Sequence, residues 1–286
     1  MSNRLMNINL HNFFIYLSLF LVLILSSGCS TDDATKQLTA EERFRNGMAL
    51  YNNEDYLEAI EEFKIVSLQY QGSKVADSSQ FYMAQCRFMR EEYILAAFEY
   101  DILIRNMPYS PFVSRSRFGR ATCYYNLSPE SYLDQEYSKK AIEEYQTFIE
   151  YHPNDTLAST AGKRILELNT KLAKKDYESG IIYMHMEYYK SATYYFDLIL
   201  DKYHDTEYAE PALFKKIEAL MARKKFSDAK EAIEKYLAKY SSGEYRKDVE
   251  KLYAGIENKI LEEKADKQKK AEMLKEVNKQ LQESGS

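Results

Sequence analysis

The sequence predicts an all-α protein, a superhelical array of about five antiparallel helix pairs. One observation is the composition: only nine Gly and five Pro occur in 286 residues. This leaves little room for the tight turns of many-stranded β folds or for Gly-rich phosphate loops. The other is a pattern of aromatic and small residues that recurs every 37 residues between residues 44 and 125. A fixed period of this size is typical of stacked structural repeats.

Residues 1–28 are predicted to be a lipoprotein signal peptide. Residues 13–25 form an uncharged apolar stretch after Arg4, too short for a typical membrane-spanning helix but suited to the core of a secretory signal. The stretch leads into Leu25-Ser26-Ser27-Gly28-Cys29, which resembles the bacterial lipobox. The resemblance implies cleavage before Cys29 and acylation of this residue. Several acyl chains hold a protein on a membrane, where one chain is marginal.

Residues 29–38 are expected to form an acylated tether. Nine residues lead from Cys29 to Leu38 and reach at most about 30 Å, so the folded part stays close to the membrane. Ser30 follows Cys29; it is not the Asp that retains some lipoproteins in the inner membrane, which favours the outer membrane. Asp32-Asp33 is interpreted as a solvated linker, with a surface-export signal as the alternative.

Repeats one to three are predicted within residues 39–156, as an N-terminal half. Each has a first helix with aromatic and small residues and a second helix with Ala and an aromatic residue. The first-helix markers are Phe44, Gly47 and Tyr51, then Phe81, Ala84 and Phe88, then Phe118, Ala121 and Tyr125. The second-helix Ala falls at positions 59, 96 and 141. The third is eight residues late, which indicates an insertion between about Asn126 and Glu136.

Residues 157–258 are predicted to hold a long linking helix and repeats four and five. The marker Ala recurs at 192 and 229. Leu157 to Glu187 contains no Pro, which predicts one long helix or two stacked end to end. Residues 259–286 are rich in Lys and Glu and form a charged tail, helical or disordered. A solvated helix is favoured there over a partner-binding one.

The repeating pattern resembles the tetratricopeptide repeat (TPR), including Pro108 and Pro153 at the closing position of repeats two and three. Each unit pairs two helices around one apolar face, and neighbouring units bury a continuous core. In this frame, positions 5 and 12 of the first helix face the concave side. They form the candidate substrate groove: Phe44, Tyr51, Phe81, Phe88, Phe118 and Tyr125. The alternative is that these aromatics pack mainly on their neighbours.

Arginines on the same three helices are candidates for capturing a terminal carboxylate, because guanidinium binds carboxylate in a bidentate way. They are Arg43, Arg45, Arg87, Arg115, Arg117 and Arg120. Ordinary surface salt bridges are the favoured interpretation of this set.

The polar turns after the second helices suggest a narrower resemblance. They include Tyr70-Gln71-Gly72-Ser73 and Tyr203-His204-Asp205-Thr206. With the lipobox, the five repeats and the long middle helix, they make the chain similar to the BamD family of outer membrane assembly lipoproteins. The resemblance implies an outer membrane protein facing the periplasm. It implies that C-terminal repeats bind the BamA β-barrel insertase with its POTRA domains, beside other lipoproteins of that machinery. The N-terminal repeats would then receive unfolded outer-membrane protein precursors.

The sequence supports no enzyme, cofactor or metal site. None of the four His has a second His or Cys at helical ligand spacing, and acid pairs such as Glu61-Glu62 and Glu143-Glu144 are read as solvated. The net charge of −5 gives no reason to expect nucleic acid. Cys86 and Cys123 occupy a small-residue position and are predicted to be core thiols.

One alternative function is a periplasmic TPR adaptor lipoprotein of the cell envelope, Tol–Pal or peptidoglycan-linked. It is less favoured because the N-terminal coiled coil expected of such adaptors is not seen. A second is a glycan-binding lipoprotein resembling the SusD class, which uses Trp to stack on sugars. This chain contains no Trp.

Overall fold

A computed structural model describes residues 37–284, so the predicted signal peptide, Cys29 and most of the tether lie outside the described residues. Within that range the chain forms eleven helices and no strand. The helices are α1 (Ala40–Asn52), α2 (Tyr56–Gln69), α3 (Ala76–Met89), α4 (Tyr93–Asn106), α5 (Val113–Asn126), α6 (Glu136–Tyr151), α7 (Ala158–His185), α8 (Tyr189–Lys202), α9 (Ala209–Ala222), α10 (Phe226–Lys239) and α11 (Arg246–Ser284).

The helices stack in chain order, each packed on the one before and the one after it. The repeats are α1/α2, α3/α4, α5/α6, the second half of α7 with α8, and α9/α10. The prediction of an all-α array of TPR helix pairs is therefore confirmed. The first helix begins with a capping box, in which Thr39 and Glu42 satisfy each other's backbone N–H groups.

The core confirms the predicted alignment of the repeats. The five marker alanines have no exposed surface: Ala59, Ala96, Ala141, Ala192 and Ala229. Four positions further along each second helix lies a fully buried ring or branched side chain: Phe63, Tyr100, Tyr145, Phe196 and Ile233. The small residue allows the two helices of a pair to approach closely, and the larger one fills the space between them.

The turn inside a repeat also recurs. Glu54, Glu91, Glu187 and Lys224 all adopt a left-handed backbone, with φ between 57° and 65°. Each lies just after the first helix of its repeat, where a residue in this conformation is a common helix end. The third repeat departs from this because residues 127–135 are inserted between α5 and α6.

The helix α7 serves two repeats. Of the two alternatives for this segment, the structure has one continuous helix of 28 residues. Ala161 and Leu168 in its first half pack against the third repeat, while Ala173 in its second half packs against α8.

The last helix begins inside the array and continues beyond it. Val249, Ile256 and Ile260 are buried in the core of the fifth repeat. From Lys264 to Lys275 every side chain is exposed. The boundary placed at residues 258 and 259 by the sequence therefore falls within α11, and the tail is a solvated helix over that stretch. None of the helices described within residues 37–284 is long and apolar enough to cross a membrane.

Candidate functional site

The six predicted groove aromatics lie on α1, α3 and α5. Phe81 is buried, and the other five side chains are half-buried. Several also contact rings of their own repeat: the Phe44 and Phe63 centroids are 5.8 Å apart, and those of Phe118 and Phe148 are 5.4 Å apart. The six aromatics thus contribute to core packing, and three of them also border a space between the first helices. Their role as a binding surface stays a prediction.

A cavity of about 280 Å³ opens between the first helices of repeats two and three. Its walls carry three of the predicted aromatics, Phe81, Phe88 and Phe118. The remaining lining residues are Gln85, Tyr100, Arg115, Gly119, Thr122 and Leu157. We call this cavity the Gly119 pocket.

The pocket exists because one side chain is missing. At the junction of repeats one and two, the Tyr82 ring packs on Tyr51 and Phe63, with centroid distances of 5.3 and 6.0 Å. Gly119 is 37 residues further on, so it holds the equivalent position at the next junction. A Cβ on Gly119 would lie 2.6 Å from Cζ of Tyr100, closer than such atoms approach in proteins. Glycine therefore allows α5 to approach Tyr100 and leaves the space beside it unfilled.

A guanidinium fills the third junction. Arg164 on α7 lies over the rings of Tyr125 and Phe118, 4.8 and 5.4 Å from their centroids. Its Nη1 donates to Thr122 Oγ1 at 2.8 Å and to Tyr145 Oη at 2.5 Å. The first and third junctions are thus closed by a phenol ring and a stacked guanidinium, and the middle one is open.

Tyr100 in the pocket lining and Tyr125 at the third junction both stay neutral at physiological pH. Burial raises the pKa of Tyr100 well above its usual value. The hydrogen bond that Tyr125 donates to Glu167, together with burial, raises the pKa of Tyr125. Gln85 Nε2 donates to Tyr100 Oη at 2.7 Å, and both residues line the pocket.

The predicted arginines divide into three groups. Arg43, Arg87 and Arg120 form ion pairs with carboxylates of the second helices. Arg117 lies over the Tyr151 ring, 4.4 Å from its centroid. Arg45 and Arg115 are exposed, and within residues 37–284 neither has a carboxylate at ion-pair distance. Arg115 is the one of the six that lines the Gly119 pocket.

The solvated interpretation of the acid pairs holds for only one member of each. Glu62 accepts from Arg43 at 3.2 Å, and Glu144 accepts from Arg120 Nη2 at 2.5 Å. Both acceptors are largely shielded, with side chains 23% and 17% exposed. These two ion pairs join neighbouring helices, because the first helix of a repeat lies against the second helix before it and the second helix after it.

Cys86 and Cys123 are buried and free, which confirms the prediction of two core thiols. Burial raises the pKa of each thiol to about 12. Within the described range, no cluster of three or more His, Cys, Asp or Glu side chains could hold a metal ion.

Sequence reasoning missed the two residues that shape the site. Gly119 occupies the position of Tyr82, and a 37-residue alignment of the repeats would have shown this exchange. Arg164 could not be placed in that way, because the insertion moves α7 out of the 37-residue period.

Among solved structures, the chain resembles a TPR protein of Bacteroides fragilis. The match covers 77% of this chain and 98% of that chain, with 16% identity and a TM-score of 0.41. A match to the TPR2AB domain of yeast Sti1 in its complex with pHSP90 covers 76% of this chain and 98% of that chain, with 18% identity and a TM-score of 0.36.

Sequence comparisons identify the family. Two curated relatives named "Outer membrane protein assembly factor BamD" match. The one from Rickettsia prowazekii is 22% identical over 206 residues, 71% of this chain and 82% of the relative. The one from Caulobacter vibrioides is 24% identical over 207 residues, 70% of this chain and 68% of the relative. The YfiO family model, described as outer membrane lipoprotein, matches residues 36–225. Because this match spans about two thirds of the sequence, the chain belongs to the YfiO family of outer membrane lipoproteins.

Proposed function

We propose that this chain is an outer membrane lipoprotein subunit of the β-barrel assembly machinery and acts there as a non-enzymatic scaffold. Family membership supports association with the outer membrane. The names of both curated relatives support a role in outer membrane protein assembly.

The Gly119 pocket is the observation that carries the binding role. Its lining is mainly apolar, it lies between α3 and α5, and Arg115 is an exposed lining residue without an ion pair among the described residues. An extended segment of an unfolded outer-membrane protein precursor would place an apolar or aromatic side chain in the pocket. A terminal carboxylate on such a segment would pair with Arg115.

The remaining parts of the proposal follow the family resemblance. A BamA-like barrel with POTRA domains binds the C-terminal repeats, and other lipoproteins of the machinery join the complex. The chain divides into a signal peptide at 1–28, a tether at 29–38 acylated on Cys29, repeats one to three at 39–156, the linking helix with repeats four and five at 157–258, and a tail at 259–286. The folded part faces the periplasm. No cofactor is required.

The assembly role is tested by purification from envelopes in mild detergent, with a tagged chain and a Cys29→Ala variant, followed by mass spectrometry. We expect a POTRA-domain barrel in near-equal amount with the tagged chain and a reduced yield with the variant, because the anchor holds the contact in place. Recovery of Tol–Pal or peptidoglycan-linked proteins without any POTRA-domain barrel would instead establish the adaptor function.

The binding role is tested by site-specific photo-crosslinking in cells. A photoreactive amino acid at Gln85 lies in the pocket wall, whereas one at Glu143 lies on the exposed outer face of α6. We expect barrel precursors to crosslink at Gln85 and not at Glu143. In the same assay Arg115→Gln should weaken the Gln85 crosslink, while Arg105→Gln on the outer side of α4 should not. Equal crosslinking at Gln85 and Glu143 would refute the pocket as the binding site.

A further inference from the structure

The outer face of α4 carries a continuous apolar strip. Ile94, Leu95 and Phe98 are 49%, 46% and 57% exposed, and Ile102 one turn further on is half-buried. All four lie on one side of the 14-residue helix α4. Tyr100, the α4 residue that lines the Gly119 pocket, is two residues from Phe98 and therefore about 200° away around the helix, so the strip and the pocket lie on opposite sides of α4.

The other second helices lack such a strip, although they have the same place in the fold. The equivalent residues, in the same order, are Leu57, Glu58, Glu61 and Ile65 on α2; Lys139, Lys140, Glu143 and Thr147 on α6; Lys190, Ser191, Tyr194 and Leu198 on α8; and Ser227, Asp228, Glu231 and Lys235 on α10. Only α4 is apolar at all four positions. Packing of the repeat does not need apolar side chains at these positions, because α6 and α10 fold with polar or charged residues at all four of them. A contiguous exposed apolar surface of this kind indicates a contact with something outside the fold.

The segment that leads into α1 is held against the end of the first repeat, next to the repeat that contains α4. Tyr70, directly after α2, donates a hydrogen bond from its Oη to the Leu38 carbonyl at 3.0 Å. Leu68, in the last turn of α2, is 62% exposed, and Leu57 in the first turn is 52% exposed. Cys29 is nine residues before Leu38, so a lipid surface that holds acylated Cys29 lies within about 30 Å of this point. Leu68, two residues before Tyr70, lines one cavity together with Ile102 of the α4 strip, which places the C-terminal half of α4 beside the end of α2 where Leu38 is held.

We propose that the α4 strip, together with Leu57 and Leu68, rests on the lipid surface to which acylated Cys29 ties the chain. The proposal rests on the acylation included in the proposed function. Apolar side chains that rest on a lipid surface in this way are buried at the boundary between the headgroups and the acyl chains. Glu58 and Glu61 on the neighbouring α2 favour a zwitterionic lipid surface over a strongly anionic one, because a like-charged surface repels carboxylates.

The absence of Trp from the sequence allows a direct test. A Phe98→Trp variant carries one fluorophore on the strip. A Glu143→Trp variant carries one at the equivalent position of α6 and serves as the matched control. Each variant is purified from envelopes and reconstituted in vesicles of phosphatidylethanolamine and phosphatidylcholine, with and without brominated lipid. We expect blue-shifted emission and at least about threefold stronger bromine quenching for Phe98→Trp than for Glu143→Trp.

Flotation of the same vesicles separates the proposed acyl anchor at Cys29 from the proposed contact of the α4 strip with lipid. If the chain floats with the lipid and both variants are quenched equally, the strip does not meet the lipid and only the anchor stands. If the chain does not float, acylation at Cys29 is wrong and the strip proposal fails with it. A blue shift of Phe98→Trp on adding lipid-free envelope proteins, with none on adding vesicles, would show a protein partner and overturn the proposal. Leu95→Trp, at another exposed strip position, should behave like Phe98→Trp and guards against a local folding fault.

Discussion

Gly180→Ala is expected to destabilise the protein, although alanine is the better helix former. Gly180 lies in α7, and a Cβ there would be 2.5 Å from Cε1 and 2.8 Å from Cζ of the Phe196 ring. Phe196 has no exposed surface, so the ring has little space to move away. Overpacking of this kind costs about 1–3 kcal/mol. The gain in helix propensity offsets about 1 kcal/mol, which leaves a net loss of roughly 0–2 kcal/mol.

Gly162→Ala in the same helix is the matched control. No heavy atom outside the local helix lies within 4 Å of a Cβ at Gly162, and the position is exposed. This substitution should stabilise the protein by about 1 kcal/mol. The two variants should therefore differ by about 1–3 kcal/mol in the free energy of unfolding.

The assay is urea unfolding of the soluble Cys29→Ala chain, followed by circular dichroism, with both glycine variants in that background. With a slope of about 2 kcal/mol/M, the two midpoints should be roughly 0.5 M or more apart. If Gly180→Ala proves as stable as Gly162→Ala, the close approach of α7 to Phe196 does not limit the side chain at this position. The packing argument, including its use for Gly119, would then be wrong.

Three further outcomes are expected. Arg120→Gln should lower the free energy of unfolding in urea by about 1–2 kcal/mol, because the Arg120 side chain is only 15% exposed and joins carboxylates of two helices. The exposed control Arg105→Gln should change this free energy by less than about 0.5 kcal/mol. Cys86 and Cys123 should resist a thiol reagent at pH 8 until urea is added. Their pKa in the folded protein, about 12, exceeds the free-thiol value of 9.0. The stability that the protonated thiols contribute is therefore complete below pH 9 and is lost as the pH rises towards 12. Truncation before Lys264 should leave the urea midpoint unchanged within error, since every side chain from there to Lys275 is exposed; a clear fall in the midpoint would show that the exposed part of α11 stabilises the array.

The fold could be predicted from the sequence because the same pattern of small and aromatic residues recurs in each of the five repeats. The marker alanines recur at positions that the structure buries completely, and four of them are followed one helical turn later by a buried aromatic ring that the sequence also shows. The site was harder to predict for the same reason. A repeat frame treats equivalent positions as alike, whereas the Gly119 pocket depends on one junction that differs from its neighbours. The role of Arg164 could not be predicted, because its contacts with Thr122 and Tyr145 depend on the insertion and on the length of α7, which the sequence did not define.

The second repeat would connect the two proposed surfaces. Its first helix, α3, gives Phe81 and Phe88 to the Gly119 pocket, and its second helix, α4, carries the α4 strip. Paired helices of this kind lie about 8–10 Å apart. If α4 rests on lipid, the pocket opens on the far side of a single helix pair and faces away from the bilayer. An unfolded precursor could then reach the pocket from the aqueous side without passing through the lipid surface. The vesicle experiment therefore also bears on the binding proposal, since a strip that meets lipid fixes the direction from which a precursor can enter.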